Sequence, residues 1–162
     1  MLETRNFPNL PLVSFDVYLD NYRRLAKNLK REVEVKQIRS ILKRNLDATM
    51  ENMVKQDTFD ALVVTDRNRN IVWVNHGFTE MTGYDKKYAL GKKPNFLQGE
   101  QTSKTIIKEI GEKINNNQNY VGSILNYKKN GEKYLCEIQI MPLFNSKNEL
   151  THFMAFEKEL AA

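Results

Sequence analysis

The 162 residues are 41% hydrophobic and 28% charged, enough apolar mass for one domain-sized core. No run of roughly 18 apolar residues and no signal-type leader occurs, so a cytoplasmic protein without a membrane span is expected. The single cysteine, Cys136, excludes an internal disulfide and fits a reducing compartment. The net charge of +5 is uneven, because residues 1–56 hold 11 Lys/Arg against 7 Asp/Glu and the remainder 14 against 13. With no helix-turn-helix pattern and no tight arginine cluster, the basic excess reads as a solvated helix face, and no nucleic-acid partner is expected.

Pro8 and Pro11 mark an irregular start. Phe15, Leu19, Tyr22 and Leu25 or Ala26 recur at helical spacing and predict a first helix over about Asp16–Lys30. A division near residue 32 leads to a second, over about Val33–Gln56. Ile38, Leu42, Leu46, Met50, Met53 and Val54 form an apolar stripe on it, opposite Lys and Arg. Asn45 and Thr49 interrupt the alternative heptad register, which favours a packed dimer helix over a long coiled coil. Ile38, Leu42, Leu46, Met50 and Met53 are thus candidate dimer contacts; the competing use of the stripe is to cover the sheet of its own subunit. Residues 1–56 read as a two-helix extension for dimerisation or signal transfer.

Ala61–Asp66 and Ile71–Asn75 flank a polar turn and predict an opening hairpin. Asn75 can cap the following helix, Phe78 and Met81 lie three apart on its inner face, and Gly83 suits its left-handed end. Asp85 can cap a short helix through Leu90. Thr102 or Ser103 can cap a longer one carrying Ile106, Ile107, Ile110 and Ile114, which stops in the polar loop Asn115–Asn119. Three strands follow, over about Tyr120–Lys128, Glu132–Leu143 and Glu149–Phe156. Asn130-Gly131 offers the positive φ angles of a tight turn, and residues 145–148 make the last turn. Alternation puts Cys136, Ile138 and Ile140 on one face of the fourth strand, and Phe153, Ala155 and Glu157 on one face of the fifth.

Three segments resemble the PAS superfamily in order and spacing. Asn75-His-Gly-Phe-Thr-Glu-Met-Thr-Gly-Tyr84, after Val74, is similar to its V-N-x-x-F-x-x-x-T-G-Y element, and Asn126-Tyr-Lys-Lys-Asn-Gly131 to its N-Y-x-K-D-G hairpin. Gly91-Lys-Lys-Pro-Asn-Phe-Leu-Gln-Gly99 resembles the Gly-Arg-Asn-Cys-Arg-Phe-Leu-Gln-Gly run of the light-oxygen-voltage (LOV) branch. The resemblance covers about residues 57–158. It implies an α+β PAS fold, with residues 57–160 forming a five-stranded antiparallel sheet of order 2-1-5-4-3 that carries helices on one face.

The departures from that pattern bear on chemistry. In LOV sensors the cysteine of the run forms a photoadduct with flavin; Pro94 stands there, and its ring has no thiol and no N–H. The pattern has a phosphate-binding arginine at Asn95, a flavin-contacting asparagine at Cys136 and a flavin-reading glutamine at Glu157, so only Gln98 and Asn126 remain of its polar flavin contacts. Losing the guanidinium removes a charge-assisted phosphate contact, and a thiol cannot replace the paired donor and acceptor of an amide. No cofactor is therefore expected, with flavin mononucleotide (FMN) and haem as the alternatives. Haem-binding PAS domains use a histidine on the long helix, whereas residues 103–114 contain none; His76 and His152 lie elsewhere. No His, Cys, Asp or Glu cluster has metal-ligand spacing, and one cysteine, two distant histidines and no Gly-rich phosphate loop give no enzyme machinery. Cys136 reads as a small buried apolar residue.

The candidate pocket residues are Phe96, Gln98, Asn126, Cys136, Ile138, Ile140, Phe153, Ala155 and Glu157. The expected function is a non-photoactive PAS sensory or interaction module in intracellular signalling. It would act as a homodimer, through protein contact or dimer rearrangement, on a partner signalling protein, with a small apolar ligand or none. The alternative is an atypical flavin- or haem-binding sensor of light, redox state or gas. Phe156-Glu-Lys-Glu-Leu160 departs from the linker that usually leads from a PAS core to an effector, which favours a stand-alone protein.

Overall fold

The computed structural model describes residues 13–44, 46–56 and 58–160, so the start expected at Pro8 and Pro11 lies outside the described residues. Five antiparallel strands, β1 (Ala61–Asp66), β2 (Ile71–Val74), β3 (Tyr120–Tyr127), β4 (Lys133–Phe144) and β5 (Leu150–Leu160), pair in the order β2-β1-β5-β4-β3. This is the expected topology. β5 outruns its expected end at Phe156 because Glu157–Leu160 go on pairing with Ile138–Leu135. The segment that departs from a PAS linker is therefore part of the sheet.

The three hairpin turns share one solution. Each has a three-residue loop whose last residue is left-handed: Arg69 (φ 69°), Gly131 (φ 88°) and Asn148 (φ 59°). In each, that residue's N–H donates to a carbonyl three residues back, on Asp66, Lys128 and Asn145 respectively. Of Asn130 and Gly131, only Gly131 has a positive φ, so the connection is a three-residue loop closed by a left-handed residue, not a two-residue hairpin.

Four short elements cover the inner face. These are α3 (His76–Thr82), α4 (Lys86–Ala89), a 3₁₀ turn (Pro94–Leu97) and α5 (Lys104–Asn115), numbered after the two N-terminal helices described next. Asn75 caps α3 by accepting from the Phe78 N–H at 3.0 Å, and Gly83 ends it with φ 74°. Asp85 precedes α4 but makes no side-chain cap. Ser103 caps α5, while Thr102 donates instead to the Leu125 carbonyl at 2.7 Å and ties the helix entry to β3.

The N-terminal helices depart from expectation. α1 runs unbroken from Val13 to Leu42, and α2 covers Ala48–Lys55. Nothing at residues 31–32 breaks a helix, since Arg and Glu are good helix formers. The break falls where Lys43 turns left-handed (φ 51°) and Asp47 accepts from the Met50 N–H at 2.8 Å, capping α2.

The stripe on these helices lies against the outer face of the sheet. Val35, Ile38, Leu42, Leu46 and Val54 are buried with Phe59, Leu62, Val64, Trp73, Leu143, Met154 and Phe156, and Met50 and Met53 pack against them half-buried. Ile38, Leu42, Leu46, Met50 and Met53 thus serve their own subunit rather than a dimer seam. A sheet covered on one side only would leave Leu62, Val64 and Met154 in water, and each such side chain gains about 1.5–3 kcal/mol by burial. The two covered faces also explain why β1 reads as a continuous apolar run from Ala61 to Val64.

Candidate functional site

Between the inner face of the sheet, α5 and the 3₁₀ turn lies a cavity of about 370 Å³. Alternation along the strands supplies its floor: Val63 and Thr65 from β1, Ile124 and Asn126 from β3, Ile138 and Ile140 from β4, and Phe153, Ala155 and Glu157 from β5. Ile107, Ile110 and Ile114 form the α5 wall, while Pro94, Asn95, Leu97 and Gln98 close another side. Of the candidate pocket residues, Gln98, Asn126, Ile138, Ile140, Phe153, Ala155 and Glu157 all border it. Phe96 and Cys136 do not. Phe96 packs edge-on to Tyr84 and Tyr88, with ring centres 5.0 and 5.4 Å away. Cys136 is fully enclosed in the inner core.

Glu157 is the unusual member. It is 4% exposed, opposite Ala61 and Ile138, and its Oε2 has no hydrogen-bond partner among the described residues. Burial alone pushes its carboxyl up to about 7, because an apolar wall disfavours the charged form. Asn126 Oδ1 and the Tyr134 hydroxyl are likewise buried without a close hydrogen-bond partner among the described residues, although Asn126 lies near enough to the Tyr134 hydroxyl to act on its proton. The Tyr134 hydroxyl and the Cys136 thiol are both held protonated, first by burial and second by the neighbouring Glu157 charge. Cys136 is therefore an inert filler by its surroundings.

Two cations also border the cavity, exposed to water: Lys93 and Arg69. Arg69 occupies the left-handed position of its turn, where glycine or asparagine is more at ease, and its guanidinium donates to Asn115 Oδ1 at 3.0 Å. The β1–β2 turn is thereby tied to the end of α5. Neither cation was legible as a pocket residue, since each sits in a polar stretch without periodicity. The α5 wall carried a signal in the spacing of Ile107, Ile110 and Ile114.

Pro94 borders the cavity where the LOV pattern has its reactive thiol, an unpaired carboxyl replaces the ring-reading amide, and Asn95 replaces the phosphate-binding arginine. Among the described residues no histidine borders the cavity. Among the described residues no group of three His, Cys, Asp or Glu is placed to hold a metal. No described helix is long and apolar enough to cross a membrane.

A second polar centre connects the sheet to α1. Arg31 Nη1 and Glu34 Oε2 pair at 2.7 Å with both side chains buried, and Arg31 lies 4.1 Å from the centre of the Phe59 ring. Glu34 Oε1 accepts from Asn75 Nδ2 at 3.1 Å, while Asn75 Oδ1 accepts from the N–H groups of Leu62 and Phe78. Gln37 accepts from the Trp73 indole at 3.1 Å. One asparagine thus ties α1, β1 and the start of α3 together. Beyond this anchor, α1 extends with Phe15, Tyr18, Tyr22, Leu25 and Leu29 exposed by 58–67%.

A family model for the PAS domain matches residues 60–160. The nitrogen fixation regulatory protein of Klebsiella oxytoca is 31% identical over 109 residues, which cover 67% of this chain and 22% of that protein. A blue-light photoreceptor of Listeria innocua is 33% identical over 102 residues, covering 61% of this chain and 40% of that protein. The solved light-state dimer of the fungal blue-light photoreceptor Vivid matches with a TM-score of 0.60, at 26% identity over 63% of this chain and 78% of that one. The chain spans less than half the length of these curated relatives.

Proposed function

The chain belongs to the PAS domain family, and we propose that it is a sensory and interaction module that works without a flavin–cysteine adduct and passes its signal through α1. Pro94 at the cavity wall carries this reading, because no nucleophile stands where the adduct would form. The output follows from the second polar centre. A change in the cavity that shifts α3 or β1 moves Asn75, and Asn75 holds Glu34 on α1.

The partner best matched to the exposed part of α1 is a second copy of the same helix. Phe15, Tyr18, Tyr22, Leu25 and Leu29 fall at alternating steps of three and four, the repeat of a seam between two helices. Both sides of such a seam need that repeat, and two identical chains supply it. The dimer contact thus moves from the Ile38–Met53 stripe to the opposite end of α1.

Light scattering should give twice the chain mass for the wild type and the single-chain mass for a Tyr22→Glu, Leu25→Glu variant. Charges in the seam should weaken association at least tenfold, while thermal melting of the sheet stays within about 0.5 kcal/mol, as for other exposed substitutions. A monomeric wild type, or a variant that remains dimeric, would remove the self-pairing reading. A partner signalling protein then becomes the occupant to seek.

A further inference from the structure

Resting on the reading that flavin does not occupy the cavity, we propose that the cavity takes a compact molecule with an apolar body and a cationic N–H head, an amine or amidine, that docks against Glu157 and Asn126. The groups left unsatisfied there specify the head. Among the described residues Glu157 Oε2 and Asn126 Oδ1 are buried acceptors with no donor at hydrogen-bond distance, and an orphaned buried acceptor is costly until a donor reaches it. A ligand that brings N–H groups relieves both. An amidinium offers two parallel N–H bonds to one carboxylate, the strongest arrangement of this kind.

The walls specify the body. Ile107, Ile110, Ile138 and Ile140 face one another across the cavity, and its volume of about 370 Å³ lies within the range of small-molecule sites. Glu157 and Phe153 are four residues apart on β5, about 13 Å at strand spacing, so the space suits a fused two-ring body as well as a single ring. A carboxylate head is disfavoured at Glu157 and Asn126, where it would meet two acceptors and no donor. Lys93 and Arg69 are exposed to water, where their repulsion of a cation is screened.

Titration calorimetry with 2-naphthamidine, 2-naphthamide and 2-naphthoate tests the assignment. The amidine should bind one to one, the neutral amide more weakly, and the carboxylate not at all. Glu157→Gln should weaken the amidine at least tenfold while melting no lower than wild type at neutral pH, so lost affinity cannot be ascribed to unfolding. Ile110→Trp, which fills the cavity, should abolish binding of the amidine and the amide. Naphthoate binding as tightly as the amidine, an unchanged affinity in Glu157→Gln, or no amidine binding by a colourless protein overturns the proposal and leaves the module reading intact. A protein that purifies yellow with stoichiometric flavin overturns both.

Discussion

Replacing Glu34 by alanine should destabilise the fold by about 3–5 kcal/mol, the usual cost of removing one partner from a buried ion pair. Arg31, which also donates to the Phe59 carbonyl at 3.3 Å, would lose the carboxylate 2.7 Å away, and Asn75 would lose the acceptor that orients its amide. Asn75 in turn holds the N–H groups of Leu62 in β1 and Phe78 in α3. Urea unfolding followed by circular dichroism measures the loss. A combined Arg31→Met, Glu34→Leu variant should recover most of it, because two apolar side chains of similar volume take both charges out of the buried site. A loss below about 1 kcal/mol in Glu34→Ala would mean that α1 is not anchored through this pair, and would take away the proposed route from the cavity to the dimer seam.

Glu157→Gln should change how stability depends on pH. The ordinary glutamate value is 4.5, and burial pushes Glu157 up to about 7 in the folded chain. Between those values the folded state keeps a proton that the unfolded state releases. Stability contributed by the protonated carboxyl is therefore complete below about pH 4.5, falls as pH rises through the window, and levels off above about 7. At about 1.4 kcal/mol per unit, the fall is at most about 3.5 kcal/mol. His152 acts in the opposite sense. Burial, opposed by the Asp66 charge, lowers its value below 6.5, so the folded chain loses stability as pH drops and the unfolded histidine takes up its proton first. Subtracting the variant's curve from the wild type's isolates Glu157, since His152 is common to both. The difference should grow from pH 5 to about pH 7.5 in favour of the glutamine variant. Parallel curves would show that Glu157 reaches solvent or a partner in solution.

The sheet was readable in the sequence because β-strand alternation and turn residues act locally. Asn75 and Gly83 state the limits of α3, and Cys136, Ile138 and Ile140 share the inner face as the period of two requires. The extension was less readable, for two physical reasons. Its break depends on Lys43 adopting a left-handed backbone, which lysine does not advertise. Its stripe from Ile38 to Val54 satisfies a partner helix and the chain's own sheet equally well, because both demand one apolar face; only the tertiary structure shows the sheet taking it. The cavity floor was legible from β4 and β5, whereas Arg69 and Lys93 came from turns without periodicity. Phe96 was misplaced because its attraction to Tyr84 and Tyr88 depends on how two loops meet.

Pro94 at the cavity wall makes the sharpest statement about function. The direct measurement is a light-minus-dark absorption spectrum of the purified protein, recorded as isolated and again after incubation with excess flavin mononucleotide and removal of the unbound portion. A flat difference in the blue is expected under both conditions, with no bound flavin retained. Stoichiometric flavin whose blue absorbance bleaches under illumination and recovers in the dark would contradict a module that works without adduct photochemistry.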